Sequence, residues 1–237
     1  MTSQQRFLRF GLSPSPSPYT DTGVLGEHSA RMSPAVRAAV LRRDVETCQL
    51  CGFRSLKYQT VLGSPGGRDD IDGVFTSCTF CEQVMHADLV PAQRSGVLLW
   101  LPEISQAQLN RSMHDLYALR ITQGDRAQRA RALLDRLMAR RNTAEERFGS
   151  DNPETLVDRL REKAKNGQTT GLCPYEAADQ GLRLFPLDRR ILREEGLEFN
   201  QFPQMLAFWR SKDGPLRKDL LDRSRTFEEL ELRLSSL

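Results

Sequence analysis

The stretch between residues 47 and 86 constrains this chain most strongly. It contains two Cys-x-x-Cys pairs, Cys48 with Cys51 and Cys78 with Cys81, separated by twenty-six residues. Each pair can supply two thiolates to one ion, and the segment between them can close a tetrahedral site with four cysteine ligands. The spacing therefore predicts a structural zinc site with these four cysteines as its ligands.

The thiols of the two pairs are better suited to a metal than to disulfides. Residues 1–7 lack the apolar core of a secretion signal, so we expect a cytoplasmic protein, and disulfides are rare in that compartment. Disulfides and idle thiols remain the alternatives to zinc. The fifth cysteine, Cys173, precedes Pro174 and is expected to be a small buried apolar residue.

The composition favours a polar globular protein of one large domain or two small ones. The 237 residues are 39% hydrophobic and 27% charged, and the formal net charge is +3 from 34 basic and 31 acidic residues. A charge so nearly balanced gives no global case for nucleic-acid binding. The longest apolar run, residues 97–101, is far shorter than the roughly 20 residues that cross a bilayer.

The elements around the cysteines follow a recognisable order. Residues 58–62 and 74–76 are expected to form two short strands, separated by a glycine-rich loop. A helical segment should follow Cys81 and continue to Pro91. The region is therefore predicted to be a ββα module stapled by zinc.

Helical patterns dominate the rest of the chain. One helix is expected to begin at Pro34 with Ser33 as its N-cap, and others after Ser105, at Asp125 and after Asn152. The charged segment 188–195 and residues 226–237 are expected to be helical as well. The run 97–101 is expected to be buried, but it is too short to assign by periodicity.

Three features of these segments bear on function. The segment 199–209 is rich in large apolar side chains, which could be core or a docking surface. His114 falls off the apolar stripe of its helix and is expected on the surface. The helix from Asp125 has an arginine-rich face, which could touch nucleic acid but is expected to be solvated. These arginines are Arg126, Arg129, Arg131, Arg136 and Arg140.

A ββα module on two cysteine pairs resembles the frame of HNH endonucleases. In those enzymes a histidine at the end of the first strand is the general base, an asparagine orients it, and a later histidine binds a catalytic metal. Here Leu62 and Gly63 replace the base and Gly73 replaces the asparagine, so His86 alone matches. A four-thiolate zinc has no open position for water. We therefore expect no catalytic residues and no enzymatic activity.

The amino-acid sequences of two segments point to a family more specifically than the cysteine spacing does. Residues 48–59, Cys-Gln-Leu-Cys-Gly-Phe-Arg-Ser-Leu-Lys-Tyr-Gln, and residues 96–110, which include Leu-Pro-Glu-Ile-Ser-Gln, resemble the IcmJ/DotN family of type IVB secretion systems. The likeness covers about residues 33–120 and extends more weakly to about 195. It implies zinc at Cys48, Cys51, Cys78 and Cys81.

The family resemblance also implies a function and a partner. It implies a non-catalytic adaptor of a secretion coupling complex that binds the membrane-anchored coupling ATPase and helps to recruit substrates. No nucleic acid is expected, and membrane association, peripheral at the inner membrane, would come only through the partner. We expect an apolar groove between the zinc module and the helices after Ser105 to receive an extended or helical partner segment. The alternative is an HNH-type metal-dependent endonuclease or a nucleic-acid-binding protein.

Together these observations predict the organisation of the whole chain. The expected fold is α+β and mainly helical, with a small HNH-like ββα zinc module packed against a helical domain. The predicted units are a flexible Ser/Pro-containing arm (1–30), the zinc-binding module (31–95), the helical domain (96–195) and an aromatic-rich C-terminal helical segment (196–237).

Overall fold

The computed structural model describes Phe10 and residues 33–63, 71–166 and 181–235. The arm predicted for residues 1–30 lies outside these residues except for Phe10, and so does Cys173. The first half of the chain contains α1 (Pro34–Arg43), β1 (Gln59–Gly63), β2 (Val74–Cys78), α2 (Thr79–Met85), a 3-10 turn (Ala87–Leu89), α3 (Val90–Gln93), β3 (Gly96–Trp100) and α4 (Gln106–Arg120). The second half contains α5 (Asp125–Phe148), α6 (Pro153–Lys165), β4 (Leu182–Pro186), β5 (Ile191–Glu194), β6 (Leu197–Asn200), α7 (Phe202–Arg210), α8 (Lys218–Arg223) and α9 (Thr226–Ser235).

The helix starts that were predicted from capping residues are confirmed. The side chain of Ser33 accepts a hydrogen bond from the backbone N–H of Val36, and Pro34 occupies the first position of α1. At α4, Ser105 and Gln108 form a reciprocal capping box, which satisfies two backbone donors. The α+β class and its large helical share are therefore as expected.

The expected helix at residues 188–195 is wrong. This segment enters an antiparallel hairpin in which β5 pairs with β6 and Glu194 lies opposite Leu197. The two residues between them, Glu195 and Gly196, have φ angles of +50° and +81°. A two-residue loop with both φ angles positive matches the right-handed twist of paired strands, so this local turn overrides the charged, helix-like composition.

Strands β3 and β4 form a two-stranded antiparallel sheet between two apolar clusters. Successive side chains of a strand point to opposite faces, so neighbouring residues join different clusters. Leu99 and Phe185 belong to the cluster that contains the four paired cysteines, here called the main cluster. Leu98 and Leu184 belong to the second cluster, which α5 and α6 complete. The predicted burial of residues 97–101 thus takes the form of a strand.

The aromatic-rich segment belongs to the core. Four side chains of α7, those of Phe202, Met205, Leu206 and Trp209, are buried in the main cluster. The two interpretations left open for residues 199–209 are therefore resolved in favour of packing for these four residues.

The arginine-rich face of α5 is less open to solvent than the sequence implies. Arg126 donates hydrogen bonds to the backbone carbonyls of Leu221 and Ser224, and Arg136 donates one to the carbonyl of Leu234. Arg129 forms an ion pair with Glu231. Much of this face therefore holds the C-terminal helices in place. Within the part of the chain that the structure describes, no helix has the length and apolar character needed to span a membrane.

Candidate metal centre

The structure brings the four predicted ligands together. The Sγ atoms of Cys48, Cys51, Cys78 and Cys81 all lie within 4.8 Å of one another. Three of the side chains are buried and Cys51 is half-buried. The Sγ atoms of Cys51 and Cys78 are 3.6 Å apart, which is far beyond the roughly 2.05 Å of a disulfide bond. It is close to the roughly 3.8 Å between sulfurs that each lie about 2.3 Å from one tetrahedral zinc ion.

Local backbone chemistry positions the first cysteine pair. The N–H of Cys48 donates to the carbonyl of Phe53, and the N–H of Gly52 donates back to the carbonyl of Cys48, each at 2.9 Å. Gly52 has a φ angle of +75°, a conformation that glycine adopts without steric cost. The N–H of Gln49 donates to the carbonyl of Thr76 in β2, which ties this turn to the hairpin.

Secondary structure positions the second pair. Cys78 is the last residue of β2 and Cys81 lies in the first turn of α2. Residues three apart across a strand-to-helix junction place both sulfurs on the side that faces the first pair. The register of β1 against β2, with Gln59 opposite Cys78, fixes where the second pair stands.

Burial shifts the pKa values of three of the four thiols. Burial raises the pKa of Cys78 and of Cys81, and the sulfurs of Cys48 and Cys51 raise both further. Burial also raises the pKa of Cys48, but hydrogen bonds from Cys51, Cys78 and Cys81 outweigh it and leave that pKa well below its usual range. A bound dication would let all four ionise, so the donor set fits a metal.

The prediction that His114 lies on the surface is wrong. Its ring is completely buried and stacks on Phe53 with 3.6 Å between centroids. The rings of Phe80 and Trp209 lie 4.4 and 4.9 Å away. Burial, assisted by the charge of Arg111, lowers the pKa of His114 from 6.5 to about 3. The apolar periodicity of α4 did not predict this burial, because the rings that cover His114 come from three other segments of the chain.

The positions compared with HNH catalytic residues in the sequence are paired in the hairpin or buried. Leu62 is buried and pairs with Phe75 of β2, while Gly63 pairs with Val74. His86 is also buried, with 8% of its surface exposed. Among the described residues, the four cysteines are the one group of three or more potential metal ligands, and His86 is not part of it.

A cleft of about 660 Å³ lies beside the first cysteine pair. Residues 47–52, the first turns of α4 and one side of α9 line it. Its wall combines apolar Leu50, Ile104 and Leu230 with charged Arg111 and Glu229. A groove therefore exists close to the expected place, but its lining is mixed rather than apolar.

Comparison with known proteins gives one informative match. No protein-family model matches the chain. The chain is similar to the type 4 apparatus protein DotN of Legionella pneumophila, with 28% identity over 122 residues. The match covers 50% of this chain and 57% of DotN, so the chain spans little more than half of its relative's length. This similarity supports a DotN-like family, in agreement with the resemblance seen in the sequence.

Proposed function

We propose that this chain is a non-enzymatic, zinc-stabilised adaptor of a type IVB-like secretion coupling complex. The similarity to the type 4 apparatus protein DotN carries this proposal. Its partner would be the coupling ATPase, which would hold the adaptor at the cytoplasmic face of the inner membrane and bring it near secreted substrates.

Zinc is the metal that best suits the four sulfurs. Soft thiolates in a closed set of four favour Zn²⁺ over the oxygen-preferring Mg²⁺ and Ca²⁺. Cys48, Cys51, Cys78 and Cys81 would all bind the ion, and each thiolate would be neutralised in part by it. Such an ion cross-links the chain but has no open coordination position for a reacting water. Its proposed role is therefore structural.

Two observations support the absence of catalysis. The strand end where an HNH base would stand carries Leu62, which is buried, and Gly63, and neither side chain can accept a proton. His86 is too deeply buried for ready access by a phosphodiester. The likeness of the ββα module to HNH nucleases is thus proposed to be one of shape.

The cleft beside the first cysteine pair is the proposed contact for the partner. It brings residues 47–52 together with α4 and α9. Arg111 and Glu229 on its walls suit a segment with polar as well as apolar side chains, and a partner helix or strand could fill it. The metal would hold the floor of the cleft because Cys48 and Cys51 form part of it.

Co-purification from the native organism tests the adaptor proposal. The tagged full chain should recover the coupling ATPase, and Cys81→Ser should recover none because the cleft floor is lost. A Leu232→Ala variant, altered at a side chain that is 72% exposed, serves as the control and should behave as the wild type. Recovery of the folded wild type without any secretion component would contradict the proposal.

A plasmid-nicking assay with Mg²⁺ or Mn²⁺ tests the absence of catalysis. The purified wild type should leave supercoiled plasmid intact at every metal concentration. Cleavage that disappears in His86→Ala would instead support the endonuclease alternative. Cleavage that persists in that variant would point to a contaminating nuclease, which a second purification would remove.

A further inference from the structure

A buried amide reaches the metal centre from outside the cysteine pairs. Asn110, in the second turn of α4, is completely buried, and its Nδ2 lies 3.4 Å from Sγ of Cys81. This distance suits an N–H···S hydrogen bond, which is longer than one to oxygen. Sequence reasoning gave Asn110 no role of its own because it and Cys81 are 29 positions apart.

The direction of this hydrogen bond is fixed by a chain of partners. The backbone N–H of Leu184 can only donate and its carbonyl can only accept. Gln106 pairs with both, because its Oε1 accepts from the N–H at 2.8 Å and its Nε2 donates to the carbonyl at 2.7 Å. The backbone of β4 therefore determines which end of the Gln106 amide carries the hydrogens.

The same logic then orients Asn110. The Nε2 of Gln106 also donates to Oδ1 of Asn110, at 2.8 Å. A rotated Asn110 would present a donor to this donor, so its Nδ2 must face Cys81. The sulfur of Cys81 consequently accepts a hydrogen bond, as a metal-bound thiolate does.

We propose that Asn110 is a positioning residue of the metal centre. Its side chain donates a hydrogen bond to the Cys81 thiolate and is oriented by Gln106, which in turn is held by the backbone of β4. The inference rests on the metal centre of the proposed function. A donor outside the ligand set stabilises the ionised sulfur and fixes its direction, and loss of such partners typically weakens metal binding 10- to 100-fold.

The hydrogen bonds from Leu184 through Gln106 and Asn110 to Cys81, here called the hydrogen-bond relay, also couple the metal to a distant part of the chain. Gln106 and Leu184 are 78 positions apart, and β4 belongs to the sheet that separates the two apolar clusters. Docking of β4 orients the amide that holds Cys81, so metal retention depends on that sheet. By linkage, the bound metal stabilises the docked strand to the same extent.

Zinc release to a chelator, measured on the full-length protein, tests the proposal. Asn110→Leu preserves the volume of the side chain and removes the donor, so zinc should leave about 10-fold faster. Gln106→Leu keeps Asn110 but frees its orientation, and release should accelerate to a smaller extent. In the double variant, the acceleration of zinc release should be smaller than the two single effects combined, because both act through one hydrogen bond.

Ser112→Ala provides the matched control. Ser112 is buried on the same helix and donates a hydrogen bond to the carbonyl of Thr226 rather than to a sulfur. Its zinc release should equal that of the wild type. Release from Asn110→Leu at the wild-type rate would overturn the proposal, and so would an equal acceleration in Ser112→Ala, which would indicate a general loosening.

Two spectroscopic measurements separate positioning from packing. In cobalt-substituted protein, the sulfur-to-metal charge-transfer band should shift to lower energy in Asn110→Leu and stay unchanged in Ser112→Ala, because the sulfur loses a hydrogen bond only in the first. An unshifted band in a folded Asn110→Leu would overturn the proposal.

The second measurement needs no variant and decides the matter if Asn110→Leu does not fold. In ¹¹³Cd-substituted, ¹⁵N-labelled wild type, one side-chain amide proton of Asn110 should couple to the cadmium through the hydrogen bond. Absence of this coupling in a sample whose cysteine β-protons do couple to cadmium would overturn the inference while leaving the metal centre intact. A wild type that retains no metal at all would overturn both.

Discussion

The two apolar clusters on either side of the β3–β4 sheet differ in the side chains that build them. The main cluster surrounds four sulfurs and includes the stacked rings of Phe53, Phe80 and Trp209. The second cluster contains no member of the cysteine group and consists mostly of aliphatic side chains, from β3, β4, α6 and the segment 84–90, with the rings of Phe10 and Phe148. The chain between residues 44 and 58, which supplies two of the four cysteines, has little regular structure. We therefore expect a bound metal to stabilise the main cluster beyond what its side-chain packing provides.

The largest effect is expected from loss of a sulfur ligand. Cys81→Ser should abolish stoichiometric zinc binding and unfold the main cluster, because zinc contributes about 10–16 kcal/mol in small sites, as much as the whole stability of a domain. Zinc content by mass spectrometry and thermal unfolding would measure this. A Cys81→Ser protein that unfolds cooperatively at the wild-type temperature would show that the metal is dispensable.

Two adjacent leucines allow the clusters to be compared directly. Leu98 and Leu99 are both completely buried but face the second and the main cluster respectively. Truncation of either to alanine should cost about 2–5 kcal/mol in the free energy of unfolding. Only Leu99→Ala should also accelerate zinc release, since it alone leaves a cavity on the side of the cysteines.

Denaturant titrations and chelator assays on the same samples would separate these two results. Leu232→Ala, at a largely exposed position, should change neither quantity. Equal acceleration of zinc release by Leu98→Ala and Leu99→Ala would mean that the sheet does not insulate the two clusters.

The buried His114 should make the main cluster sensitive to acid. Its pKa is about 3 in the folded protein and about 6.5 in the unfolded chain, so the folded state holds the neutral ring. The corresponding stability is fully present above pH 6.5 and is lost as the pH falls from there towards 3, by about 1.4 kcal/mol per pH unit.

His114→Gln provides the comparison for this prediction. Protons compete with zinc for the thiolates in both proteins, so the difference between their slopes of stability against pH isolates the histidine. Denaturation in excess zinc at pH 7.5, 6.5 and 5.5 should give a steeper loss in the wild type. Parallel slopes would place the ring in contact with water.

The smallest effect is expected at the start of α4. Ser105→Ala removes one half of the capping box and should cost about 1 kcal/mol, whereas Ser105→Asp should preserve most of the stability because a carboxylate also caps. Thermal unfolding measures both. Because the next residue, Gln106, belongs to the hydrogen-bond relay, Ser105→Ala should also loosen zinc slightly more than an equally destabilising change at Leu98.

Much of this molecule could be predicted from short-range sequence patterns. The paired cysteines, the Ser33 and Ser105 caps and the start of α5 depend on residues within one or two helical turns or one closed loop. The predicted zinc ligands are brought together, although their binding of zinc and the domain boundaries stay predictions. The family resemblance depended on the amino-acid sequences of residues 48–59 and 96–110, and it is supported over half of the chain.

What the sequence did not show depends on contacts between distant segments. His114 is buried by rings from three other segments, and the hairpin at residues 191–200 depends on a local turn that composition concealed. Asn110 looks like any polar helix residue until α4 packs beside Cys81 and β4 aligns Gln106. The sequence by itself determined which groups could bind a metal, because ligand chemistry is local. The tertiary structure decided which buried polar groups support those ligands, because their partners lie up to 78 positions away along the chain.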